Sequence, residues 1–237
     1  ITNPPFSLFR VFLAWIVEAK KQFIIIGNIN CVTYKEVFPL IQNNSVWMGC
    51  TIHSGDREFE VPEGYPLKAA GWRIDENGKK YIRVKGVRWY TNIDHGRRHH
   101  PLELMTMADN IKYSKHKEVK GKQYSVYDNF NAIDVPYTDA IPKDYDDIMG
   151  VPITFLDKYY PEQFEIVGIT KTWFGMATKV FPKQIQVSKT GKKSVVTKLN
   201  DGAAIEVDGP IEGDVYYIVD GKYYTQAYAR ILIRKKR

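Results

Sequence analysis

The residues with the clearest chemical meaning open the chain: Thr2-Asn3-Pro4-Pro5-Phe6-Ser7. Two successive prolines fix the backbone and remove two N–H donors, so this stretch is rigid and presents carbonyl acceptors only. The Asn3 side-chain oxygen and the Pro4 carbonyl can together accept both hydrogens of an exocyclic NH2 group. That favours a pyramidal nitrogen whose lone pair is free to attack. Phe6 offers a flat apolar face on which a planar base can stack, worth about 1–3 kcal/mol per base. A base inside a duplex reaches such a pocket only after it is flipped out of the stack. Adenine N6, cytosine N4 and the amide of a protein glutamine all carry the matching donors. The bland meaning of the same residues is a stiff turn between a strand and a helix, capped by Asn.

Such a motif needs a strand end and a helix start to hold it. Leu8, Phe9, Phe12, Leu13, Ile16 and Val17 recur at three- and four-residue steps, which predicts a helix from about Ser7 to Lys20 with Ser7 as cap. Phe23–Asn28 is a short, continuously apolar run ended by Gly-Asn, the pattern of a strand covered on both faces. Thr33-Tyr34-Lys35-Glu36 matches a capping box and predicts a second helix to about Gln42, with Pro39 a kink. Beyond Asn43 the period becomes two. Val46–Ile52 reads as a strand, Trp72–Ile74 and Tyr81–Val84 flank Asp75-Glu76-Asn77-Gly78 as a hairpin, and Val87–Ile93 reads as a further strand. The first hundred residues thus read as the second half of an α/β sheet that finishes with antiparallel edge strands. Met107–Asp147 is polar, lysine-rich and weakly periodic, and reads as a long loop. Strands return at Glu165–Thr170, Val195–Leu199 and Ala204–Val207, and the chain closes with a hairpin turning at Asp220-Gly221 and a last strand, Ala227–Ile233. This predicts a catalytic domain over 1–108 and a β-rich recognition region over 109–237.

With 237 residues, 34 Lys plus Arg and 27 Asp plus Glu, the chain carries a formal charge of +7. Residues 171–237 hold 13 of the basic and six of the acidic residues, so the whole excess falls there. A neutral body with a basic end suits one part for chemistry and another for a polyanion. Two cysteines without a CxxC pair exclude a disulfide scaffold or thiolate zinc site and suit a reducing cytoplasm. The apolar run Val11–Val17 is too short to span a bilayer, so no membrane is expected as a partner.

Several separated blocks carry a resemblance. The Asn3-Pro4-Pro5-Phe6 motif is similar to that of amino-methyltransferases acting on DNA adenine. Phe23–Asn28, Thr33–Glu36, Trp89-Tyr90-Thr91-Asn92-Ile93-Asp94-His95, Met149–Tyr159, Gln163–Gly168 and Arg230–Arg234 resemble the EcoRI-type adenine-specific DNA methyltransferases. The resemblance implies S-adenosylmethionine as methyl donor, a Rossmann-like catalytic domain and a separate region that reads duplex DNA. Carried over, Asn3 and the Pro4 carbonyl hold the adenine amino group, Pro5 shapes the turn and Phe6 stacks on the flipped base. Phe6 stands where many relatives have Tyr, which keeps the ring and loses only the hydroxyl. Such enzymes carry a glycine-containing cofactor turn N-terminal to this motif, and the chain starts after that point. The expectation is that this polypeptide alone neither binds S-adenosylmethionine tightly nor methylates DNA.

In Asp94-His95-Gly96-Arg97-Arg98-His99-His100, His95 and His99 invite a metal reading, yet the glycine and two arginines disfavour a cation, and no metal is expected. Contact of His95, Arg97 and Arg98 with DNA phosphate or a base edge is the alternative to a solvated loop. Arg230 and Arg234 share one face of the last strand and are expected along a phosphate backbone, unless they merely protect a charged sheet edge. The competing functions are an N4-cytosine methyltransferase and a sequence-specific DNA-binding module without catalysis. A nuclease carboxylate cluster is not evident.

Overall fold

The computed structural model describes residues 1–50, 56–68 and 71–236, in two compact units, Ile1–His95 and Gly96–Arg237. The chain is mixed α/β, with several small, largely antiparallel sheets and few helices. Among the described residues no helix is long and apolar enough to cross a membrane.

The first unit begins with Thr2 bridged in parallel to strand β1 (Ile24–Asn28), through Thr2 N to the Ile24 carbonyl at 3.0 Å and Ile26 N to the Thr2 carbonyl at 3.2 Å. Between them runs helix α1 (Phe9–Glu18). Helix α2 (Phe38–Gln42) leads to strand β2 (Trp47–Met48). Strands β3 (Arg57–Val61), β4 (Trp72–Ile74) and β5 (Lys80–Val84) form their own antiparallel sheet in the order β3-β5-β4. Strand β6 (Val87–Thr91) then returns to the first sheet, giving the order β1-β6-β2 with β6 antiparallel to both neighbours.

The expectation of an antiparallel edge is therefore corrected: the reversed strand lies inside the sheet. Its composition explains this, because Val87, Arg88, Tyr90 and Thr91 are all buried and Thr91 donates from its hydroxyl to the Phe23 carbonyl at 2.6 Å. Two cap expectations also fail. Phe6–Leu8 forms a 3-10 turn, so Ser7 sits within it and α1 starts at Phe9 without a side-chain cap. Thr33 ends a 3-10 turn over Ile29–Thr33 and donates to the Asn30 carbonyl, while α2 starts later behind Val37. Local hydrogen bonding of Asn28, whose side chain accepts from Asn30 N at 2.9 Å, wins over the capping box. Thr51 and Ile52, at the end of the expected Val46–Ile52 strand, lie outside the described residues.

The Asp75–Gly78 turn forms as its sequence requires. The Asp75 carboxylate accepts from the N–H groups of Asn77 and Lys79, and Gly78 has φ +80°.

In the second unit, helix α3 (Met107–Tyr113) stands in the stretch read as loop. Thr106 caps it, accepting from Asp109 N at 3.0 Å and donating to its carboxylate at 2.7 Å. Strands β7 (Ile133–Asp134), β8 (Met149–Pro152) and β9 (Phe164–Ile169) follow. Then come β10 (Gln184–Val187), β11 (Lys193–Val196), β12 (Ala203–Val207), β13 (Tyr216–Val219), β14 (Lys222–Ala227) and β15 (Arg230–Lys235). One sheet has the order β7-β8-β15-β9 and the other β11-β10-β13-β14-β12. The β13–β14 turn places Asp220 at φ 49° and Gly221 at φ 80°, the left-handed pair that a two-residue hairpin demands. Asn129, fully buried, ties the loop before β7 to β12: its amide donates to the Gly202 carbonyl at 3.1 Å and accepts from Ala204 N at 2.8 Å.

Candidate functional site

Asn3 and Pro4 stand at the C-terminal end of the Thr2 bridge, beside the strand end of β1, the side of a parallel α/β pair where ligands bind. Asn3 is exposed, Pro4 buried and Phe6 half-buried. Pro5 has φ −53° and ψ 130°, and its carbonyl accepts from Leu8 N at 2.9 Å to close the 3-10 turn. The proline carbonyl that the motif can still present is that of Pro4.

The turn is anchored from behind by α1. Phe9 and Leu13 are buried, and the Phe9 ring lies against Tyr90 at 4.8 Å between centroids. It also lies directly over Gly27, where an added Cβ would come within 2.4 Å of the ring. The glycine of the Ile26-Gly27-Asn28 strand end is thus a packing requirement of the helix that carries the motif. The Tyr90 hydroxyl donates to the Asn28 carbonyl at 2.8 Å, and Asn28 donates to the Lys85 carbonyl at 2.7 Å, so the neighbouring strand end is held on both sides.

The basic candidates do not form one set. His95 is half-buried in the first unit, with Nε2 2.8 Å from the Met48 carbonyl and a buried Nδ1 that has no hydrogen-bond partner. In the second unit Gly96–His99 forms a 3-10 turn in which Arg97 is exposed and Arg98 buried. Burial pushes the Tyr159 hydroxyl upward in pKa, opposed by the Arg98 charge nearby. Arg234 pairs with Glu165 at 2.9 Å on the surface. Arg230 instead turns inward, its Nε 2.9 Å from the Asp134 carboxylate, with only 15% and 12% of the two side chains exposed. Among the described residues no cluster of three or more His, Cys, Asp or Glu could hold a metal.

A model of the family described as adenine-specific methyltransferase EcoRI matches residues 1–236. The chain belongs to this methyltransferase family. It is 45% identical over 171 residues to the Type II methyltransferase M.EcoRI of Escherichia coli, covering 72% of this chain and 50% of that protein. It is 30% identical over its full length to M.MgeORF184P of Mycoplasma genitalium, covering 64% of that protein, and 33% identical to M.MpnI of Mycoplasma pneumoniae, over 70% of this chain and 50% of the relative. The chain thus spans about half to two thirds of the length of these Type II methyltransferases. No solved structure matches it.

Within this family member nothing in the residue pattern signals the network around Arg230. The Tyr127 hydroxyl donates to the Asp134 carboxylate at 2.5 Å, and a Cβ at Gly150 would sit 2.3 Å from that hydroxyl oxygen, which explains the glycine in Met149-Gly150-Val151. Burial, reinforced by the Asp134 charge, holds the Tyr127 phenol protonated far above its ordinary range. Asp134 stands 96 residues before Arg230 with no local pattern to mark it. The basic excess of the C-terminal segment is also partly neutralised from outside it: Lys179 pairs with Asp128, Lys235 with Asp146, Arg234 with Glu165 and Arg230 with Asp134. Lys183, Lys192 and Lys193 stay exposed.

Proposed function

We propose that the protein carrying this sequence methylates the N6 amino group of adenine in duplex DNA, with S-adenosylmethionine as donor. The observation that carries the reading is the Asn3-Pro4-Pro5-Phe6 turn at a parallel strand end in a member of this family. In it, the Asn3 carboxamide oxygen and the Pro4 carbonyl accept the two amine hydrogens and orient the nitrogen lone pair. Pro5 fixes the turn through its bond to Leu8, and Phe6 stacks on the flipped adenine. Holding the amine in line supplies most of the acceleration, since effective molarities for oriented groups reach about 10⁵–10⁸ M. The donor, when bound, supplies an electrophilic methyl group. Residues 4 and 5 have no N–H with which to cradle its carboxylate, so this turn suits the amine and not the donor, and no residue of the chain is assigned to the cofactor.

The order Thr2 segment, β1, β6, β2, with only β6 reversed, supports reading Ile1–His95 as the C-terminal part of a Rossmann-like catalytic sheet carrying the β3-β5-β4 sheet as an insertion. The β-rich second unit is the proposed target-recognition region, with the surface residues Arg97 and Arg234 as candidate DNA contacts. Incubation of the full-length protein carrying this sequence with labelled S-adenosylmethionine and DNA, followed by digestion to nucleosides, tests the reading. N6-methyladenine is the expected product; N4-methylcytosine, or no product, refutes it. Asn3→Ala is expected to abolish transfer while leaving salt-sensitive DNA binding.

A further inference from the structure

The second unit contains a cleft of about 630 Å³ with Arg230 and Asp134 in its lining and Tyr228 at its rim. The charge around it is not that of a phosphate site. The lining cations are Lys122 and Arg230, and they are outnumbered by the carboxylates Glu118, Asp134 and Asp214. With Asp134 paired to Arg230, and Asp214 3.6 Å from Lys189, the lining still sums to one net negative charge, which does not attract a phosphate. A neutral base edge is not disfavoured in this way.

Arg230 is held in one orientation before any ligand arrives. Its backbone N–H donates to the Thr170 hydroxyl at 2.8 Å and its carbonyl accepts from Thr170 N at 3.0 Å, with Thr170 fully buried. Its Nε donates to Asp134, which is fixed in turn by Tyr127 and, through its own N–H, by the Ser125 carbonyl at 2.7 Å. An arginine on a surface gives up its rotamer freedom when a ligand immobilises it. Here folding has already imposed that cost. With Nε turned to Asp134 and the guanidinium also bonded to the Tyr127 hydroxyl, the other terminal N–H groups are the donors left to a planar fork. That fork matches the O6 and N7 acceptors of guanine, the pair most often read by arginine in the major groove. Tyr228 is 90% exposed, its ring left open by the described residues.

We propose that this cleft reads a base edge of the target DNA: Arg230, oriented by Asp134, donates to O6 and N7 of one guanine in the recognition sequence, and Tyr228 packs against the adjoining nucleotide. Asp134 is then a positioning residue, and Arg230 discriminates sequence without serving the phosphate backbone. The inference rests on the methyltransferase reading above.

The test is selection from a random-sequence duplex library, with methylation and binding read on the same pool, for the protein and its Arg230→Lys and Tyr228→Ala variants. Lysine keeps the charge and loses the fork. The expected result is that Arg230→Lys relaxes one guanine position alone, cutting discrimination there by about 5- to 150-fold, and leaves the salt dependence of binding unchanged. A uniform loss across all sequences, or a shallower salt slope, marks a phosphate contact and overturns the proposal. An unchanged motif with a lowered melting temperature marks a purely structural ion pair and also overturns it. Tyr228→Ala cannot disturb the core; a loss of about fivefold or more in binding to the selected sequence, with random-duplex binding unchanged, is expected, and no change there overturns the proposal even if the lysine variant fails to fold. A protein that methylates DNA with the same motif after Arg230→Lys refutes this inference alone. One that transfers no methyl group and selects no sequence refutes the parent reading, and this one with it.

Discussion

Gly27→Ala probes the link between the apolar strand and the catalytic turn. The new Cβ would lie 2.4 Å from Phe9 Cε2 and 2.9 Å from both Cδ2 and Cζ, whereas carbon contacts relax to about 3.5–4.0 Å. The ring must therefore retreat by about 1 Å, yet Phe9 is fully buried and packed on Tyr90. Overpacking of this kind costs about 1–3 kcal/mol, which lowers the melting temperature by about 2–4 °C per kcal/mol in a chain of this size. Turnover should fall by a comparable free energy, because Phe9 follows directly on the Phe6–Leu8 turn, and a misplacement of about 1 Å at a reacting centre costs about 100-fold. Phe9→Leu combined with Gly27→Ala removes the colliding ring atoms and should restore part of both losses, with a coupling energy of about 0.5–3 kcal/mol in a double-mutant cycle. Thermal melts and initial methylation rates on the four full-length proteins decide it. A Gly27→Ala variant with native stability and rate, or additive single and double variants, refutes the claim that glycine is required for the ring.

Asp134→Ala should destabilise the second unit by about 3–5 kcal/mol, measured by urea unfolding, because it strands the Arg230 guanidinium and the Tyr127 hydroxyl in a largely buried site. Tyr127→Phe, which leaves the ion pair, should cost far less. Desolvation pushes Tyr124 up to about 12 and holds Tyr127 well above its ordinary range, so both stay protonated in the folded chain while their unfolded counterparts ionise near about pH 10. The sign follows: their contribution is full below about pH 10 and is lost as pH rises above it, and Tyr127→Phe should blunt this alkaline loss in melts at about pH 9–11. Asn129→Ala orphans the Ala204 N–H and the Gly202 carbonyl and should cost about 1–3 kcal/mol per group in the same assay. Burial raises the Cys31 thiol pKa, whereas Cys50 is exposed, so a thiol reagent at neutral pH should label Cys50 in the native protein and Cys31 only on unfolding.

What the sequence discloses follows from the range of each interaction. The Asp75–Gly78 and Asp220-Gly221 turns are legible because a short loop is decided by its own φ angles and local side chains, and the apolar run at Ile24–Asn28 by its own composition. The Thr33-Tyr34-Lys35-Glu36 box misleads because a nearer competitor, the Asn28 carboxamide, takes the backbone first. Helix α3 escapes notice because its seven residues are too few for a period to declare itself, although Thr106 and Asp109 were readable as a cap. Residues 96–108 belong with the second unit, where the Gln163 carboxamide brackets Leu102 at both its N–H and its carbonyl, a tie across 61 positions that composition cannot register. At the site, the Asn-Pro-Pro-Phe chemistry is local and visible. Whether an arginine faces solvent or a buried carboxylate is not, and Arg230 and Arg234, alike on one strand, meet opposite fates.

The second unit is also nested in time. Strand β15 is interior to its sheet, between β8 and β9, yet the whole of the other sheet, from β10 to β14, is encoded between β9 and β15. On a ribosome the five-stranded sheet can close while its companion still lacks an inner strand, leaving the facing edges of β8 and β9 open until β15 emerges. Closing that gap needs pairings such as Ile231 with Val151 and with Ile169, across long stretches of chain, and such non-local steps are slow. Refolding should accordingly show two phases, with the burial of Arg230 belonging to the slower one.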